Sequence, residues 1–178
     1  MIKTAAIYGA IAGAIIIIVN TLSLSLAGGE NADMAGLEWL GYLVMLLALS
    51  VIFFAIKRYR DVAQGGVITF WTGLSLGLLI SAFAGVAYVL VWEVYIATTG
   101  SSFIDSYTAS VVEKAADGGA TASEIEALKA KMATMAEQYA NPLFRIPVTF
   151  LELFPVGLVI SLISAALLRN SKFLQASQ

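Results

Sequence analysis

Four stretches of the chain are almost free of charge. Thr4 to Leu26 holds 23 residues, Trp39 to Ile56 holds 18, Val62 to Trp92 holds 31, and Ile146 to Leu168 is interrupted only by Glu152. At about 1.5 Å of rise per residue each matches a hydrocarbon core of roughly 30 Å. A segment among lipid tails must satisfy its own backbone, so each predicts a helix. The pattern predicts an all-α integral membrane protein, a bundle of four transmembrane helices over residues 4–26, 39–56, 67–92 and 146–168, with 1–178 forming one membrane domain. For the first segment there is a rival: Lys3 before an apolar run and Ser25-Leu26-Ala27 after it resemble a cleaved signal peptide. The run exceeds the roughly 7–15 residues of a signal core, which favours a span.

Between the third and fourth spans the pattern changes to amphipathic. Ser102 with Asp105 and Thr121 with Glu124 have capping-box spacing, and Gly118-Gly119 separates them. In such a box the hydroxyl and the carboxylate satisfy free amides at a helix start. Beyond the second box Ile125, Leu128, Met132, Met135 and Tyr139 recur at helical spacing, while Glu126, Lys129, Lys131 and Glu137 fall elsewhere. The prediction is an extracytoplasmic helical hairpin over 102–140. Its stripe is expected against its partner helix or on the outer bilayer surface, with a docking face for another protein as the alternative.

Composition agrees with lipid as the solvent: 60% of the 178 residues are hydrophobic, 12% are charged, and the mean hydropathy is +0.87. There is no cysteine and no histidine, which removes disulfides, thiolate metal sites, Ser-His-Asp hydrolases and Cys-His proteases. No catalytic residue, metal, cofactor or nucleic-acid partner is expected. The net charge of −2 says little; where the signs sit says more. Lys3, Lys57, Arg58, Arg60, Arg169 and Lys172 flank the spans on one side, opposed only by Asp61, whereas residues 27–38 carry Glu30, Asp33 and Glu38 without a base. The positive-inside rule then puts both termini in the cytoplasm. Trp71 and Trp92 lie 21 residues apart, about 31 Å along a helix, framing the third span between two aromatic belts.

Gly41-Tyr42-Leu43 through Lys57-Arg58-Tyr59-Arg60-Asp61, Gly65-Gly66-Val67-Ile68-Thr69-Phe70, Val91-Trp92-Glu93-Val94-Tyr95, and Asn141-Pro142-Leu143-Phe144-Arg145 through Thr149 to Gly157 form separated motifs covering nearly the whole chain. Together they resemble the bacterial family catalogued as domain of unknown function 4199. The resemblance implies a small four-span bacterial inner-membrane protein and lends no activity or functional residues.

Glu152 is the main anomaly, a carboxylate seven residues into a span, about 10 Å below its start, where charge is costly. Asn20 on the first span falls near the same level, Glu93 follows Trp92, and Arg145 opens the fourth span. Asn20, Glu93, Arg145 and Glu152 are therefore expected as one polar cluster. It reads either as an ion, proton or small-solute site, or as an interhelical clasp in which Glu152 is protonated or paired with Arg145. Pro147 and Pro155 bracket Glu152 and predict a kink or local opening at Pro155. On the third span Thr69, Gly73, Gly77, Ser81 and Gly85 make a ridge of small residues every four positions. Gly9 with Gly13, and Gly157 with Ser161 and Ala165, are partners within the chain; a homo-oligomer through the ridge is the alternative. Lys57, Arg58 and Arg60 lie where lipid headgroups concentrate, and lipid contact competes with simple topology as their reason.

Two functions of different classes follow. One is a structural or accessory membrane subunit acting through helix packing and the outer hairpin. The other is a small ion, solute or lipid transporter or channel using the Glu152 pocket. The absence of an internal repeat favours the first, because secondary transporters are commonly built from duplicated halves. An enzyme is not expected: Glu93 and Glu152 offer acid and base with no nucleophile or cofactor motif beside them.

Overall fold

The computed structural model describes residues 1–26, 38–100 and 102–174, with the side chains of all of these except 20, 21, 23–26 and 38. Its regular structure is helical: α1 (Ile2–Leu26), α2 (Glu38–Leu49), α3 (Val51–Arg58), a π-helical turn (Tyr59–Ala63), α4 (Phe70–Thr99), α5 (Ser102–Asp117), α6 (Ala122–Ala140) and α7 (Pro142–Leu168). Four stretches are long and apolar enough to cross a membrane, Ile2–Val19, Trp39–Ala63, Phe70–Thr99 and Pro142–Leu168. The second combines α2, α3 and the π turn. At their junction the Ser50 amide still donates to the Leu46 carbonyl at 3.0 Å, and its hydroxyl donates to Leu47 at 2.6 Å, so the chain changes helix without changing course.

The helices outrun the charge-free stretches because a backbone does not uncoil where lipid ends. α4 starts at Phe70 rather than 67, since Thr69 caps it by accepting from the Thr72 amide at 3.2 Å, and it continues beyond Trp92 to Thr99. There Gly100, at φ 62°, takes a conformation that a side chain would resist. α7 starts at Pro142 rather than 146. Asn141 Oδ1 accepts from the Leu143 amide at 3.0 Å, and Pro142 sits where a helix needs no donor. The opening expected at Pro155 does not interrupt α7, which is helical through Pro147 and Pro155.

The capping box of Thr121 and Glu124 is complete. Glu124 accepts from the Thr121 amide at 2.7 Å and from its hydroxyl at 2.8 Å, and these two bonds hold its carboxyl below the usual range. The box expected at Ser102 does not form. Ser102 is the first residue of α5, and its hydroxyl donates back to Thr99 at 2.9 Å, closing α4. α5 and α6 flank Gly118-Gly119 and touch each other.

The core lies where α4 meets α1 and α7. Gly73, Gly77, Ser81 and Gly85 are all buried along α4, and small residues of α7 meet them in reverse order. A Cβ on Gly73 would lie 3.3 Å from that of Ala165, one on Gly77 would overlap Ser161, one on Gly157 would overlap Ser81, and one on Gly85 would overlap the Phe150 ring. Each step of four up α4 is matched by a step down α7, so the two helices are antiparallel at close approach. The hydroxyls of Ser81 and Ser161 donate to Gly77 and Gly157 of their own helices, at 3.0 and 2.6 Å. Against α1 the order is the same, not reversed: Gly9 approaches Ile80 and Phe83, Gly13 approaches Ala84 and Ala87. α1 and α4 are thus parallel, and the start of α1 and the end of α7 lie at one end of the bundle. The ridge is covered by α7 of the same chain, so an oligomer through it would have to displace α7.

Outward faces carry Ile7, Ile18, Leu47, Phe54, Leu90 and Ile163. Such large apolar exposure is natural only for a surface that meets lipid.

Candidate functional site

Of the polar residues expected together, Glu93 and Arg145 form a pair and Glu152 stands in a cavity wall. Near the C-terminal end of α4 Glu93 meets Arg145 from the first turn of α7. Nε donates to Oε1 at 2.7 Å and Nη2 to Oε2 at 2.5 Å, a fork on a carboxylate. The remaining nitrogen, Nη1, donates to the Tyr139 carbonyl at 3.0 Å. The Arg145 side chain is 9% exposed and that of Glu93 is 25% exposed. Arg145 is therefore committed to Glu93 and α6, and the pairing foreseen between Arg145 and Glu152 gives way to this fork. Asn20 lies on α1, but its side chain is outside the described residues.

Glu152 instead lines a partly open cavity of about 460 Å³. The cavity is framed by α2 through Gly41, Tyr42 and Met45, by α4 through Tyr88 and Trp92, and by α7 through Glu152 itself. α5 and α6 complete it with Phe103, Tyr107, Met132, Met135 and Tyr139. Helical spacing explains the wall: Tyr88, Trp92 and Tyr95 fall on one face of α4. The Trp92 ring stacks on Tyr95 at 5.4 Å and meets the edge of Phe103 at 5.0 Å, which ties α5 to α4.

Tyr139 joins the two halves of the site. Its hydroxyl accepts from Trp92 Nε1 at 2.7 Å, its ring lies 5.9 Å from the Arg145 guanidinium carbon, and its carbonyl takes the Arg145 donor. The sequence reading placed Tyr139 only in an apolar stripe. That stripe is now accounted for: Met132, Met135 and Tyr139 face the cavity, while Ile125 and Leu128 are half-buried. The recurrence of Tyr88, Trp92, Tyr95, Phe103 and Tyr107 across the α4–α5 junction was the available signal. Beside this site Thr149 is 2% exposed, and among the described residues its hydroxyl has no partner.

At the other end of the bundle the basic cluster splits. Arg58 is exposed, and Lys57 is half-buried with a 2.8 Å ion pair to Asp61. Arg60, expected at lipid headgroups, is instead fully buried. It donates to Asp61 at 2.7 Å, to Phe173 at 2.9 Å and to Leu174 at 3.0 Å, the last two being backbone carbonyls. A helix end exposes carbonyls that need donors, and Arg60 supplies them just beyond α7. Ile52, Ile56 and Arg60 stand four apart on the core-facing side, the signal that was overlooked.

No curated protein and no solved structure matches the chain. Residues 7–170 match the family described as protein of unknown function (DUF4199), and the chain belongs to that family.

Proposed function

We propose that this multi-pass membrane protein holds a small amphiphilic molecule, a solute or a lipid, in the cavity at Glu152, as a binding or transport protein rather than an enzyme. The observation that carries this reading is the cavity itself: about 460 Å³ of space bounded by aromatic and methionine side chains with a carboxylate in its wall. Ligand pockets are typically apolar, of roughly 300–1,000 Å³, and carry a few polar groups that orient the guest. A subunit that acts by packing alone has no use for such space, since empty volume costs stability. The cavity thus favours the transporter or lipid-handling class over the accessory subunit that the missing repeat favours.

The setting we infer is a bacterial plasma membrane, with both termini in the cytoplasm and the α5–α6 pair outside, on the support of the basic flanks at 57–60 and 169–172. Trp39, 66% exposed, and Trp92 then mark the outer aromatic belt, and the cavity that Trp92 lines lies at that level. Membrane lipids would be its neighbours, with exposed Arg58 and nearby Lys57 at the inner headgroups.

The test is native mass spectrometry of protein purified in a mild detergent. Gly41 lines the cavity and a Cβ there meets nothing within 4 Å, so Gly41→Phe adds a ring at the cavity wall without displacing a neighbour. A small molecule should accompany the wild-type chain in fixed ratio and be absent from Gly41→Phe. A wild-type chain that carries nothing, or the same mass on both proteins, would overturn the proposal; a stoichiometric protein partner without a small molecule would return the accessory reading.

A further inference from the structure

We infer that the groove between α1 and α3 is a site for one anionic phospholipid, whose phosphate is held by Lys57, Arg58 and the Tyr8 hydroxyl. The groove lies at the other end of the bundle from the cavity, and the two readings stand or fall separately.

The groove measures about 370 Å³ and is lined by Tyr8 of α1, by Phe54, Lys57 and Arg58 of α3, and by Asp61 and Val62 of the π turn. Three observations give it a polar end and an apolar rim. First, its positive charge exceeds its negative charge. The carboxylate of Asp61 is already matched twice, by Lys57 at 2.8 Å and by buried Arg60 at 2.7 Å, so exposed Arg58 adds a charge that Asp61 does not answer. Second, donors from two helices share the space. The Lys57 ammonium gives one of its three hydrogens to Asp61, which anchors the amine at the groove and leaves two for a guest. The planar fork of Arg58 suits phosphate oxygens, and Tyr8 brings a hydroxyl from α1. Third, Phe54 is 61% exposed and Val62 is 76% exposed at the same groove. A free phosphate has nothing to set against that apolar rim, whereas an acyl chain does.

Topology alone accounts for cations somewhere on this flank. It does not require that two of them share a groove with a hydroxyl from another helix and with exposed apolar side chains. The same arrangement discriminates between headgroups. One that carries an ammonium beside its phosphate would bring a like charge to Lys57 and Arg58 while Asp61 is already engaged, so a headgroup of net negative charge is preferred.

The experiment uses the full chain, freed of co-purified lipid by detergent exchange and held in a non-ionic detergent. It is titrated with dioleoylphosphatidylglycerol and, separately, with dioleoylphosphatidylcholine, which has the same tails and phosphodiester but no net charge, and the adducts are read by native mass spectrometry. The expected result is a single phosphatidylglycerol adduct that saturates at an affinity about tenfold or more above that of phosphatidylcholine. Arg58→Gln and Lys57→Gln should each lower that affinity about fivefold. Arg169→Gln, which removes an exposed cation at the same end but outside the groove, should leave it unchanged. Equal affinity for the two lipids, or an equal loss in Arg169→Gln, would overturn the site, because charge at this end would then act without the groove. Excess glycerol 3-phosphate separates the two sources of phosphate: a lipid site keeps its phosphatidylglycerol, and displacement would overturn the lipid assignment in favour of a free phosphate ester. Gly41→Phe should keep the adduct, and its loss there would overturn the assignment by placing the lipid in the cavity instead. Arg58 is exposed, so Arg58→Gln decides the matter even if Lys57→Gln, which removes a partner of Asp61, does not fold.

Discussion

Arg60 donates from all three of its guanidinium nitrogens, to Asp61 and to the backbone after α7, with its side chain fully buried. Truncating Arg60 leaves the Phe173 and Leu174 carbonyls without their donor, at about 1–3 kcal/mol for a buried group left unsatisfied, while Lys57 still pairs with Asp61. Arg60→Ala is therefore expected to destabilise the protein by about 2 kcal/mol or more, read as a lowered melting temperature in detergent. Arg60→Lys should recover little, because one ammonium cannot span Asp61 and carbonyls of 173 and 174 with the geometry of a guanidinium fork. A melting temperature within error of wild type for both variants would show that Arg60 is not what closes this end. The contrast with Arg58, exposed two residues earlier, shows why charge alone misled: identical residue types acquire different roles from the helix face they occupy.

Between α4 and α7 the contact is made by absence of side chain. Small residues four apart on each helix let the backbones approach, and the seam gains van der Waals contact that bulkier chains would forbid. Gly77→Ala puts a methyl onto Ser161, and overpacking of this kind costs about 1–3 kcal/mol. Gly41→Ala, where an added Cβ meets nothing within 4 Å, should be neutral or stabilise by up to about 1 kcal/mol. Parallel thermal unfolding of the two proteins checks the pair, and equal losses would mean that helix propensity, not the seam, governs. The α5–α6 pair is held differently, by Trp92 to Tyr139 and by Phe103 on the α4 aromatics. These contacts lie beside the cavity that the pair helps to line.

In the assembled chain the parallel register of α1 with α4 and the reversed register of α7 bring the start of the first helix and the end of the last to one end of the bundle. The basic residues 57–60 and 169–172 gather there too, Arg60 bonding directly to the backbone that follows α7. With the orientation proposed above, that end faces the cytoplasm. The chain has no cysteine, so Asp117→Cys and Lys172→Cys, both at exposed positions, report topology one at a time. A membrane-impermeant maleimide should label Asp117→Cys on intact cells and Lys172→Cys only after lysis. The reverse pattern would invert the protein in its membrane, and labelling of both on intact cells would break the four-span reading.

The spans, their helical nature and the second capping box were legible because each depends on local chemistry. Lipid forces a long apolar segment to satisfy its own backbone, and Thr121 reaches Glu124 within one turn. The small-residue ridge was legible as a surface for close approach, but its partner was not, since the spacing of Gly73, Gly77 and Ser81 suits α7 or a second copy equally well. Whether Arg145 would choose Glu93 or Glu152, whether Arg60 would reach lipid or the end of α7, and whether the α6 stripe would meet a partner or roof a cavity all turn on distances between residues as far as 114 positions apart. Hydrophobic pattern specifies which face is buried, whereas the identity of what buries it is set only when the helices dock.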